Sequence, residues 1–212
     1  MVNMLESIPV WFYLITSVIY TSSAIIGFLV SYFAFKAYKV TKNKTHLFLS
    51  LSFLLIGLGF VALSSTSIYI YTTLQLYKGS SISLNLLNYQ GFRTYYILSA
   101  IGYVLLILMY LPKKITNKLF ILYVPIWYAS SFNFHLFSIV LVLIVMIQSI
   151  INSIKRKNLN SYLVTLAFVC LLVFHSLLLL TSFSQSMYIT ANVFLIIGFL
   201  SLLTMLIRVN FK

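Results

Sequence analysis

Three histidines, one cysteine and one acid, Glu6, are nearly all the side chains in this chain that could do acid–base or metal chemistry. The most conspicuous is His175, set inside the apolar run "FVCLLVFHSLLLL" of Phe168–Leu180. Two histidines on facing helices at equal depth could hold a b-type haem, and His135 is the only candidate partner. Counting residues from the ends of the apolar runs puts His135 at the outer surface. The same count puts His175 about 12 Å below it, at about 1.5 Å per residue. A depth mismatch of about 10 Å disfavours the His135/His175 haem pair, and leaves His175 as a neutral histidine hydrogen-bonded between helices. His46 stands beside Lys44 at the other surface. With no carboxylate or thiolate in reach of these histidines, no metal site and no cofactor are expected.

Other chemistries fail on missing groups. No Asp, Glu, Lys or Arg falls inside an apolar run, so the membrane carboxylate common in ion-coupled transport is lacking. A retinal Schiff base needs a lysine in the middle of the last run, which instead reads "VFLIIGFLSLL". Ser64, Ser65 and Ser67 could in principle meet His175, yet no nucleophile-elbow sequence surrounds them. No catalytic residues are assigned, and the chain is not expected to be an enzyme. Cys170 is alone, excludes an intrachain disulfide, and reads as a small hydrophobe.

What remains is a layer of polar side chains at comparable depth: Ser64, Ser67, Ser99, His175 and Asn192. Such groups either stitch helices together or line a pocket open to the outside. These five residues are the candidate ligand site.

The elements that must position them follow from composition. Of 212 residues, 62% are hydrophobic and 7% charged, against about a quarter charged in a soluble domain. Apolar runs long enough to cross a bilayer core of about 30 Å recur along the chain. The expectation is an all-α integral membrane protein, residues 1–212 forming one polytopic domain. Seven spans are drawn: Pro9–Phe35, Leu47–Thr73, Thr94–Pro112, Leu119–Asn133, His135–Ile154, Ser161–Phe183 and Ser186–Arg208. Leu74–Arg93 is read as a surface loop whose "SISLNLLNY" could lie in the interface as an extended or short amphipathic piece, and Tyr69, Tyr71, Tyr95, Tyr96, Trp127 and Tyr128 as interfacial anchors.

The net charge of +13 comes from clusters between runs, at Lys36–Lys44, Lys113–Lys118, Lys155–Lys157, Arg208 and Lys212. With seven spans all of these share one side, leaving Lys78 and Arg93 on the other. The positive-inside rule then puts the amino terminus outside and the carboxyl terminus inside. The expected location is the plasma membrane, with anionic lipid headgroups at the inner loops and other membrane proteins as partners. No basic stripe or motif suggests nucleic acid. Asn43-Lys44-Thr45 has the form of a glycosylation sequon but falls on the inner side, out of reach.

A shift of 115 residues pairs Ser23 with Ser138, Val30 with Val145, Lys42 with Lys157, Asn43 with Asn158, Ser50 with Thr165, Phe53 with Phe168, Thr66 with Thr181 and Ser67 with Ser182. A different shift pairs "IGYVLLILM" with "IGFLSLLTM". Either composition alone makes these matches, or spans 1–3 and 5–7 are repeats joined by span 4. That three-plus-one-plus-three layout resembles both sugar-transporter-like and rhodopsin-like seven-span proteins, so it does not choose a function. Three readings are carried: a non-enzymatic complex subunit or receptor-like module, a passive small-solute transporter with an outward-facing polar pocket, and a haem redox subunit.

Overall fold

A computed structural model of the chain describes residues 9–77, 81–110, 131–181 and 185–211. These residues form six helices: α1 Val10–Thr41, α2 Lys44–Tyr77, α3 Ser81–Tyr110, α4 Ser131–Arg156, α5 Leu159–Leu179 and α6 Gln185–Asn210. All six are long and apolar enough to cross a membrane, which fits a multi-pass membrane protein. The expected fourth span, Leu119–Asn133, lies outside the described residues, apart from 131–133, which begin α4.

Helix packing follows a small-residue rule. α1 turns Ser17, Ser23, Ala24, Gly27, Ser31, Ala34 and Ala37 inward, while Trp11, Val18, Ile25 and Tyr32 face out. Small side chains let helix backbones approach where hydrocarbon surrounds the bundle and apolar burial no longer drives association. A Cβ added at Gly27 would stand 3.5 Å from Gly57 Cα.

Side-chain pairings fix the direction of each helix. Thr21 meets Ser64 and Ser31 meets Ser50, so α1 and α2 are antiparallel. Gly59 lies against Ser99 and Gly102 against Ser52, so α3 opposes α2. His135 meets His175 and Ser149 meets Thr165, setting α5 against α4. Ser201 donates to the Leu163 carbonyl, and Gly198 packs on Ala167, setting α6 against α5. Tyr20 meets Tyr188 and Asn210 donates to the Phe33 carbonyl, so α1 and α6 run parallel and close the ring. α3 and α4 therefore also run parallel. The chain leaves α3 at the end of the bundle where α1 finishes (the far end) and enters α4 at the end where α1 starts (the near end).

Two sequence expectations need correction here. Leu74–Arg93 is helical except for residues 78–80, which lie outside the described residues. Its Leu84 is buried with Tyr13 and Ile70, so apolar packing carries α2 and α3 beyond a bilayer-length estimate. The first basic loop is likewise helical apart from Lys42 and Asn43. Lys42 takes the left-handed conformation that turns the chain, and the Asn43 Oδ1 accepts from the Thr45 amide, a capping role for the Asn-Lys-Thr sequence.

The same turn recurs 115 residues later. α1 ends at Thr41 and α2 starts at Lys44; α4 ends at Arg156 and α5 starts at Leu159. Among the described residues, Lys42 and Lys157 are the only non-glycine residues with positive φ, at 55° and 47°. Asn158 Oδ1 accepts from the Ser161 amide as Asn43 does from Thr45. Further in, Ser50 and Thr165 each bond a serine of the preceding helix, at 3.1 and 2.9 Å. A Cβ on Gly102 would lie 3.0 Å from the Ser52 carbonyl, and one on Gly198 3.0 Å from the Ala167 carbonyl. Ser52 and Ala167 are again 115 apart. Geometry thus repeats at the turn and at these packing contacts, while the matched Ser23 and Ser138 differ: Ser23 bonds the Ile19 carbonyl and Ser138 Oγ has no partner.

Candidate functional site

The near half of the bundle holds a buried hydrogen-bonded chain from three helices. His135 Nδ1 lies 3.1 Å from His175 Nδ1, and His175 Nε2 lies 2.7 Å from the Tyr103 hydroxyl. His135 is 5% exposed, His175 0% and Tyr103 2%. Phe134 and Phe174 pack edge-on against the His175 ring, and Tyr96 edge-on against His135. The expected depth mismatch between the histidines is wrong. His135 stands four residues after the start of α4, and His175 four residues before the end of α5. The sequence count ran α5 on to Phe183, whereas the helix stops at Leu179.

A second cluster lies between α1, α3 and α6. The Tyr20 and Tyr188 hydroxyls share a short hydrogen bond. One turn beyond Tyr188, Asn192 gives its Nδ2 hydrogen to the Tyr188 carbonyl at 2.8 Å. The Phe60 ring lies between Tyr20 and Tyr95, with centroids 5.9 and 5.1 Å away. Tyr95 is within electrostatic reach of Tyr20, Tyr103 and Tyr188. The Tyr95 and Ser99 hydroxyls are buried beside each other, and Asn192 Oδ1 is buried without a hydrogen-bond partner. Such an atom costs about 1–3 kcal/mol if left unpaired. Tyr95, Ser99 and Tyr103 sit one turn apart on α3, so they form one stripe that joins both clusters.

Of the five residues expected to form a layer, the structure brings three into this region: Ser99, His175 and Asn192. Ser64 instead bonds Thr21 Oγ1 at 2.6 Å and the Ser17 carbonyl at 3.3 Å, fastening α1 to α2. Ser67 is buried a turn nearer the end of α2. No serine meets His175, whose two nitrogens face His135 and Tyr103. The haem pair does not have an iron-spanning geometry. Two axial nitrogens on one iron stand about 4 Å apart, twice a metal–nitrogen bond, and these touch each other directly. Among the described residues no three His, Cys, Asp or Glu side chains converge as metal ligands would. Cys170 packs beneath Gly198 as a small apolar group.

The sequence reading missed the tyrosines. Tyr95 and Tyr96, assigned to the interface, belong to the core: Tyr95 is 3% exposed, and Tyr96 stacks on Phe134 with centroids 4.2 Å apart. The available signal was Tyr103, in mid-run within "IGYVLLILM", where an interfacial anchor would be out of place.

The repeat offers an internal comparison. Shifting by 115, His135 corresponds to Tyr20 and His175 to Phe60; shifting by 96, as Gly102 to Gly198, Tyr103 corresponds to Phe199. Ring contacts obey that correspondence. Tyr103 meets His175 at 5.2 Å and 80°, and Phe199 meets Phe60 at 6.1 Å and 78°. His135 meets His175 at 5.4 Å, and Tyr20 meets Phe60 at 5.9 Å. The same three-ring arrangement is built twice, once with imidazoles and once without. No protein family, no curated protein and no solved structure matches the chain.

Proposed function

We propose that this chain is a passive carrier for a small, uncharged, hydrogen-bonding solute, made of two parallel three-helix units with a crossing between them. The observation that carries the reading is a set of buried polar side chains on the two units' third helices, Tyr95 and Ser99 on α3 and Asn192 on α6, whose Oδ1 has no hydrogen-bond partner. They supply hydroxyl donors and an amide acceptor but no charge, which suits a neutral polar solute. Repeated halves with a binding site at their junction are a common transporter plan. An outward-facing polar pocket at Ser99, His175 and Asn192 is the part of the expected layer retained in this reading.

In the membrane the reading has seven crossings. Tyr96 is level with Phe134, Tyr110 is fourteen residues further along α3, and Ser131 three residues earlier on α4. At about 1.5 Å per residue the chain must return some 26 Å between α3 and α4, within reach of a 20-residue helix of about 30 Å. Lys36, Lys39, Lys42, Lys44, Lys155, Arg156, Lys157 and Arg208 lie at the far end, and Arg93 toward the near end. The positive-inside rule makes the far end cytoplasmic, in contact with anionic headgroups, and the amino terminus external. The plasma membrane is the location that goes with this reading.

Uptake into proteoliposomes tests it. Radiolabelled glycerol, urea and glucose form the solute panel, and at least one should enter faster than in empty vesicles. Asn192→Leu should slow that solute about tenfold, the loss of one buried hydrogen bond. No flux for any of the three, together with recovery from native membranes in a stable complex, would favour the non-enzymatic subunit instead.

A further inference from the structure

We infer that His135 and His175 together bind one proton, and that this proton fixes His175 as the donor and Tyr103 as the acceptor of the hydrogen bond between them. The 115- and 96-residue correspondences supply a comparison without histidine. At the corresponding positions, Tyr20 of α1, Phe60 of α2 and Phe199 of α6 form the same ring contacts with no imidazole. Packing three helices therefore does not require histidine at this place. Two imidazoles in direct contact add something that packing does not: a place for a proton.

Proton counting gives the consequence. Two neutral imidazoles carry two ring protons on four nitrogens, and one proton occupies the Nδ1–Nδ1 contact. If that proton belongs to His175, the His175 Nε2 is bare and accepts from the Tyr103 O–H, while His135 carries its proton on Nε2. If it belongs to His135, the His175 Nε2–H donates to the Tyr103 oxygen. Both neutral arrangements satisfy the observed distances. Adding one proton leaves only one. The Nδ1 contact still holds a single proton, both Nε2 atoms are now protonated, and Tyr103 can only accept. No bond other than N–H and O–H hydrogen bonds changes, and the added charge is shared across the 3.1 Å Nδ1 contact.

The released Tyr103 hydroxyl hydrogen must then find another acceptor. The buried Ser99 hydroxyl, one turn back on the same face of α3 and beside that of Tyr95, is placed to accept it. Proton uptake thus turns a donor toward the polar layer to which Ser99 and Tyr95 belong. The ionisable groups facing the pair are Tyr96 and Tyr103 from α3, with Tyr95 beside them. α4 and α5 contribute the two histidines, and Cys170 lies five residues before His175. The cation on this part of α3, Arg93, is exposed, and no carboxylate lies among the described residues to compete for the proton. His135, in the first turn of α4, is the member of the chain closest to the near end and so the entry point.

What the proton regulates rests on the carrier reading above; that the pair binds it does not. The test is therefore made without solute. Protein labelled with ¹⁵N-histidine is placed in lipid nanodiscs and titrated from about pH 8 to about pH 4, a range that brackets an ordinary imidazole. His46 is assigned with His46→Gln. The expected result is one shared step in which the ring nitrogens of His135 and His175 shift together, with His175 Nε2 protonated below it. Tyr103→Phe removes the acceptor of the charged state and should weaken proton binding about tenfold, moving the step to lower pH. Ser99→Ala should move it the same way by a smaller factor. Rings that stay neutral throughout, or that titrate as two independent steps indifferent to Tyr103→Phe, overturn the inference; both results come from wild type or from a conservative variant. A shared step in a protein that carries none of the test solutes would uphold the inference and remove the carrier reading. Solute uptake without any step would do the reverse.

Discussion

The two sides of this bundle build similar contacts from different side chains. α1–α3 and α4–α6 share a left-handed two-residue turn, a hydroxyl pair between the first two helices, and a glycine seated on a carbonyl of the second helix. At the centre they diverge. Tyr20, Phe60 and Phe199 fill one side with aromatic rings, and His135, His175 and Tyr103 fill the other with a hydrogen-bonded chain. The difference teaches which features belong to packing and which are surplus to it. Whatever both halves keep is structural, and whatever only one half has is open to a functional reading.

Three measurements would break or sharpen that comparison. The largest effect belongs to His175→Leu, which strands His135 Nδ1 and the Tyr103 hydroxyl inside the core. Unfolding in mixed micelles should show a loss of about 2–4 kcal/mol, one orphan penalty for each group. The triple substitution His135→Tyr, His175→Phe and Tyr103→Phe, which gives the imidazole side the ring types of Tyr20, Phe60 and Phe199, should cost less than His175→Leu alone. If it costs more, the two halves are not equivalent.

Next come the glycines. Gly102→Val and Gly198→Val each push a side chain against a carbonyl 3.0 Å from the first added carbon. Each should destabilise by about 1–3 kcal/mol, by similar amounts in the same assay. A large loss at one and none at the other would undo the correspondence between α3 and α6. The smallest effect is a gain. Lys42→Gly and Lys157→Gly relieve a left-handed backbone at φ 55° and 47°, and each should stabilise by about 0.5–1 kcal/mol. Thermal melts in detergent would resolve it if both are combined.

The apolar helices were legible from the sequence because bilayer length and charge clustering act on long stretches. Six described helices fall on expected spans, and the Lys42/Lys157 match at a 115-residue offset marks a turn found twice. Single positions were harder. The depth of His175 depended on whether α5 stops at Leu179 or Phe183, and four residues of helix are about 6 Å. Tyrosine serves both the bilayer surface and a buried hydrogen bond, so composition could not sort Tyr95 from Tyr69, which is 57% exposed. Ser64 and Ser99 have the same side chain at neighbouring depths. Only the neighbours each meets, Thr21 and the Ser17 carbonyl of α1 for Ser64 and Gly59 and Tyr95 for Ser99, tell the two apart.

The parallel course of α1 and α6 has a mechanical consequence. Two hydrogen bonds cross that seam: Tyr20 to Tyr188 in the near half, and Asn210 to the Phe33 carbonyl at the far end. They are separated by thirteen residues of α1, about 20 Å of helix. Parting the first while the second holds turns the seam into a hinge at the far end, and parting the second while the first holds moves the hinge to the other. The seam is in effect a double door with one latch on each leaf.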